Sequence, residues 1–115
     1  MLRMNPTDVV DAYKATGLIP VRTAWTTKDA RGGCAFDAVA KHLANCPGEA
    51  WADAHFDSGY VRGFVDAWDA DRPVILEETG NGKEFLIGYW DAILCREAVE
   101  KEFTSVDKYA PENSS

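Results

Sequence analysis

Tyr60-Val61-Arg62-Gly63-Phe64-Val65-Asp66-Ala67-Trp68 is echoed twenty-five residues later by Phe85-Leu86-Ile87-Gly88-Tyr89-Trp90-Asp91-Ala92-Ile93. Gly, Asp and Ala match outright, and the first, second and fifth positions pair aromatic with aromatic or aliphatic with aliphatic. In the first copy Tyr60, Val61, Phe64, Val65 and Trp68 fall at i, i+1, i+4, i+5 and i+8, one apolar stripe on a 3.6-residue period. Glycine inside a helix costs about 1 kcal/mol relative to alanine, so two at matching places need a reason. Gly63-x-x-x-Ala67 and Gly88-x-x-x-Ala92 each set two small residues on one face, one turn apart, and Cys95 and Val99 continue that face. This spacing predicts two helices crossing at Gly63 and Gly88, within one chain or between two copies. Asp66 and Asp91 are expected on the outer, polar side.

Working outward, the other signals are also helical. Asn5-Pro6-Thr7-Asp8 reads as a cap, a proline at the first helical position and an acid in the first turn, and Gly17 closes the helix. A second helix is expected over 34–44, burying Phe36, Val39, Ala40 and Leu43, and a third over 49–56, with Trp51 and Phe56 turned inward. Asp57 or Ser58 caps the fourth. Asn81-Gly82-Lys83-Glu84 has the form of a capping box for a helix reaching about 103. A hairpin pairing 74–78 with 83–89 competes for that stretch. The expected fold is mainly α: a compact bundle of about five helices, with short extended or β segments at 18–27 and 74–78. Lys28-Asp29-Ala30-Arg31-Gly32-Gly33 reads as a turn. Residues 1–104 form the single domain, and 105–115 a polar, flexible tail.

With 115 residues, 46% hydrophobic and 27% charged, the chain has the composition of one globular domain rather than a disordered segment. Its net charge of −7 is uneven. Residues 1–35 carry five basic and three acidic side chains, so residues 36–115 carry −9. That field opposes direct nucleic-acid binding and suits a basic partner. No apolar run approaches the length of about eighteen residues that a membrane span needs, and the N-terminus lacks a signal-peptide core, so a cytoplasmic location is expected. Three widely spaced cysteines, Cys34, Cys46 and Cys95, fit reduced thiols better than a disulfide framework.

The order of Thr-Gly-Leu-Ile-Pro-Val (16–21), Gly-Gly-Cys-Ala (32–35), Tyr-Val-Arg-Gly-Phe-Val-Asp-Ala-Trp-Asp (60–69) and Gly-Tyr-Trp-Asp-Ala (88–92) resembles a scattered group of small uncharacterised bacterial and phage proteins with a Gly-Cys step and two Gly-Phe/Tyr-x-Asp helices. That resemblance implies no function. Locally, Gly32-Gly33-Cys34-Ala35-Phe36-Asp37-Ala38-Val39 is similar to the nucleophile helix of ovarian-tumour-type cysteine deubiquitinases, Asp-Gly-x-Cys-x-Phe-x-Ala-Val. It implies a nucleophilic Cys34 at a helix N-terminus, where the dipole favours thiolate. The chain departs from that pattern: Arg31 stands where the family has Asp, and only His42 and His55 follow Cys34 to serve as base.

The spacing of Cys34, His42, Cys46 and His55 matches no common zinc arrangement, and Asp66-x-x-Asp69-x-Asp71 lacks the glycine and distal glutamate of a calcium loop. No metal and no cofactor is expected. The reading that follows is a non-enzymatic, acidic protein–protein interaction or regulatory module, able to self-associate as a homodimer. Its binding residues would be Asp66, Asp69 and Asp71, with Trp25 and Trp51 as exposed rings. One alternative is a small cysteine hydrolase using Cys34 with His42 or His55. Another is a phage-type inhibitor whose acidic face mimics nucleic acid.

Overall fold

A computed structural model of the chain describes residues 3–71, 82–103 and 105–109. These form five helices, α1 (Pro6–Thr16), α2 (Ala35–Ala44), α3 (Gly48–His55), α4 (Ser58–Asp69) and α5 (Lys83–Glu102). A small parallel sheet completes the fold: β1 (Ile19–Arg22) lies between β2 (Gly32–Gly33) and β3 (Asp107–Lys108). The mainly α bundle read from the sequence is the observed architecture.

The caps work as their residue types require. Asn5 Oδ1 accepts from the Thr7 amide at 2.8 Å ahead of Pro6. Gly17, at φ 72°, turns the chain out of α1 while its N–H donates to the Tyr13 carbonyl. Asp57 caps α4 through the Gly59 amide at 2.8 Å. α5 begins after Gly82; Asn81, the expected capping residue, lies outside the described residues, as does 74–78. Because 83–89 is helical, the competing hairpin has lost its second arm.

The α4–α5 crossing is the centre of the molecule, and it lies within one chain. A Cβ built on Gly63 would run into the carbonyl of Phe85, with Phe85 Cα at 2.9 Å. One built on Gly88 would meet the carbonyl of Tyr60, with the Phe64 amide nitrogen at 3.1 Å. Ala67 and Ala92 are fully buried beside them. Each helix backbone therefore rests on the other, which only glycine at both points allows. Around this seam the core is aromatic. Phe36 packs on Phe64 at 4.8 Å between ring centroids and on Phe56 at 5.3 Å, and Trp68 lies between Phe64 and Tyr13.

β1 carries Pro20 in the middle strand without losing a needed donor. Residues 19–20 pair with β2 and 21–22 pair with β3, so the ladder changes sides just after the proline.

Several sequence expectations need correction. Gly32-Gly33 is strand rather than turn. Val106, in the expected tail, is buried, and the Tyr109 amide donates to the Arg22 carbonyl; both tie 105–109 to the sheet. Leu43 is 67% exposed because the last turn of α2 runs clear of the core. Trp51 is not an exposed ring: it is buried against Phe56 at 5.4 Å. Asp91 does not face solvent but is buried. Among the described residues, no helix is long and apolar enough to cross a membrane.

Candidate functional site

One concave surface lies where α4 meets the loop that leaves β1. The loop is held at both ends. Thr23, at φ 69°, donates its amide to Asp69 Oδ1 at 2.8 Å, and the Trp25 carbonyl accepts from the Cys34 amide at 3.0 Å. Between these anchors Trp25 is half-buried, its ring 6.0 Å from that of Phe36. Trp25, Val61 and Val65 form the floor of a shallow groove, with Arg62, Asp66 and Asp69 beside them. Sharing Trp25, Val65 and Asp69 with the groove is a pocket of about 80 Å³, lined also by Thr23, Ala24, Cys34, Phe36, Phe64 and Trp68. Asp69 borders both spaces.

The last turn of α4, from which Asp69 projects, is positioned from behind. Arg96 of α5 is buried and donates to the carbonyls of Trp68 at 3.2 Å, Asp71 at 3.3 Å and Ala70, satisfying groups that a helix C-terminus leaves open. Its own charge is held by Glu100 at 3.1 Å. Arg22 adds a bond to the Asp69 carbonyl at 3.1 Å and an ion pair to Asp71 at 2.6 Å. Of the three expected acids, Asp69 is therefore at the site and Asp66 on its rim. Asp71 borders neither space and is exposed and already paired. Burial pushes the Asp69 carboxyl above its ordinary range, against the pull of the Thr23 amide and of Arg22.

The hydrolase arrangement is not assembled. Cys34 does stand at the N-terminus of α2, and the amides of Asp37 and Phe36 do favour its thiolate. Burial outweighs them, with the Asp37 carboxylate adding to it, and pushes the thiol up to about 12. His42 is exposed on the last turn of α2. His55 is exposed at the end of α3, with Nδ1 2.9 Å from the Trp51 carbonyl. Neither lines the pocket that contains Cys34. Among the described residues no group of three His, Cys, Asp or Glu side chains could hold a metal ion.

Two polar clusters were not foreseen. Arg3 reaches Asp91 at 2.6 and 2.9 Å, Tyr60 donates to Asp91 at 2.7 Å, and the Met4 amide donates to the Tyr60 hydroxyl at 2.7 Å. Burial first, then the bond to Asp91, keeps the Tyr60 phenol protonated far above its usual range. Asp37, also buried, accepts from the Gly48 amide at 3.1 Å and from Lys41 at 2.8 Å. The i,i+4 spacing of Asp37 and Lys41 was the available signal for the second cluster. The first spans most of the chain and left none.

No family model, curated protein or solved structure matches the chain, so the groove and its pocket are interpreted from their own chemistry.

Proposed function

We propose that the protein is a non-enzymatic interaction module whose groove, between α4 and the 23–25 loop, receives a basic segment of another protein. The observation that carries this reading is Asp69, a partly buried carboxylate beside Trp25 and Val65 that lines both the groove and the pocket. A carboxylate partly withdrawn from water beside an apolar floor suits a cationic partner that pairs with it. Trp25, Val61 and Val65 supply the apolar contact. Asp66 and the −9 balance of residues 36–115 supply long-range attraction.

The test uses a defined probe. Amide and indole NMR signals of the labelled protein are followed during titration with a peptide of alternating lysine and leucine, and with its glutamate–leucine counterpart. The lysine peptide is expected to move signals of 23–25 and 61–69. Its affinity should fall as salt shortens the screening length from about 30 Å at 0.01 M to about 8 Å at 0.15 M. Equal response to both peptides, or shifts confined to other faces, would remove the proposal. If the lysine peptide binds, displacement of this protein by DNA from a basic DNA-binding protein would narrow the partner class to the nucleic-acid mimicry reading.

A further inference from the structure

The pocket beside the groove has a narrower chemistry than the groove. Four rings line it, Trp25, Phe36, Phe64 and Trp68, with the thiol of Cys34 and one carboxylate, Asp69. Two of its donors are already engaged: the Trp68 indole N–H donates to the Val21 carbonyl at 2.9 Å, and the Thr23 amide to Asp69 Oδ1. Asp69 Oδ2, by contrast, has no hydrogen bond or ion pair among the described residues. The space therefore presents aromatic walls and an acceptor. A volume of about 80 Å³ is far below the roughly 300 Å³ at which small-molecule sites begin, yet it holds the last few atoms of a side chain.

We propose that the pocket accepts the end of a lysine side chain from the partner, its methylenes against the rings and its ammonium between the Trp25 ring and Asp69 Oδ2. This rests on the reading of the groove as a site for a basic segment and names the anchoring residue of that segment. An ammonium over an indole face gains from the ring quadrupole, and a carboxylate close by adds a charge-assisted hydrogen bond. A compact ammonium on an unbranched stem fits a narrow aromatic pocket better than a planar guanidinium, which needs a broad fork of acceptors. The rigid walls favour a single side chain: Phe36, Phe64 and Trp68 are each 1% exposed and locked in the core.

The experiment compares n-butylammonium with 1-butanol, which has the same stem without the charge, by NMR titration of the whole chain and of Asp69→Asn. Asn keeps an oxygen for the Thr23 amide, so the fold is preserved. In the parent, butylammonium is expected to shift the Trp25 indole and the amides of Cys34 and Val65 at concentrations about tenfold lower than butanol. In Asp69→Asn the two probes should become equal. Equal potency in the parent, or an ammonium preference that survives in Asp69→Asn, would overturn the pocket assignment. The lysine–leucine peptide separates this proposal from the one it rests on. If butylammonium shows no preference over butanol in the parent while that peptide still binds the groove, the pocket assignment fails and the groove stands; if the peptide does not bind the parent, the groove reading fails.

Discussion

Asp66 and Asp91 occupy the same place in two helices of nearly matching sequence, and their surroundings are opposite. Asp66 is exposed on the rim of the groove, one turn from Arg62. Asp91 is 4% exposed, held by Arg3 and Tyr60. The echo that sets them in register is real where it concerns backbone contact, because both glycines sit at one crossing. It is misleading where it concerns the aspartates. A helix face is made polar or buried by whatever packs on it: Arg3 covers Asp91 on α5 and the neighbouring Met4 amide bonds Tyr60 on α4, whereas Asp66 stays on the exposed side of the groove rim.

The largest effect is expected where the two helices are alike. Gly63→Ala or Gly88→Ala should each destabilise by about 3 kcal/mol or more, because a single methyl meets the opposite backbone and neither helix can yield alone. This outweighs the gain of about 1 kcal/mol in helix propensity. A urea midpoint equal to the parent's in either variant would show that the crossing is looser than described.

Where the helices differ, the paired substitution should separate them. Asp91→Ala is expected to cost about 2 kcal/mol, since it takes the acceptor from the buried Tyr60 hydroxyl while leaving the largely exposed Arg3 free to return to water. Asp66→Ala should stay within about 0.5 kcal/mol of the parent. Similar losses for both would restore the symmetry implied by the sequence.

Asp69→Asn sharpens the contrast within α4 and carries a smaller effect of opposite sign. Burial raises the folded-state pKa of Asp69, so the fold favours the protonated form. The stability this brings is complete below the ordinary carboxyl value of 3.8 and is lost as pH rises through the folded-state pKa. The anion is stabilised less in the fold than in the unfolded chain, so at neutral pH Asn should raise the melting temperature slightly. The difference should vanish near pH 3. A variant less stable than the parent at pH 7 would mean that the carboxylate stabilises the fold rather than burdening it.

The smallest expected effect is at Cys34. With its thiol buried and pushed up to about 12, it should react with iodoacetamide at neutral pH more slowly than the partly exposed Cys46. Peptide mapping by mass spectrometry gives the order directly. Cys34 labelling first would return the hydrolase reading.

What the sequence determined by itself was local. The apolar stripe of Tyr60, Phe64 and Trp68, the Asn5 and Asp57 caps, Gly17 as a stop and the small faces at Gly63 and Gly88 all follow from neighbours within a turn or two. Backbone hydrogen bonding and side-chain periodicity act over that range. Asp69 and Trp25 were also named as binding residues from composition, and the fold brings both to one pocket. Only the tertiary structure decided the surroundings. It buried Trp51 in the aromatic core, drew Asp91 to Arg3 across eighty-eight positions and placed Cys34 without a histidine beside its pocket. It also added β3, whose two exposed residues, Asp107 and Lys108, carry no strand signal of their own. The reason is physical. Burial and charge pairing depend on which surfaces meet, and contacts made across most of a chain leave no periodic trace in it.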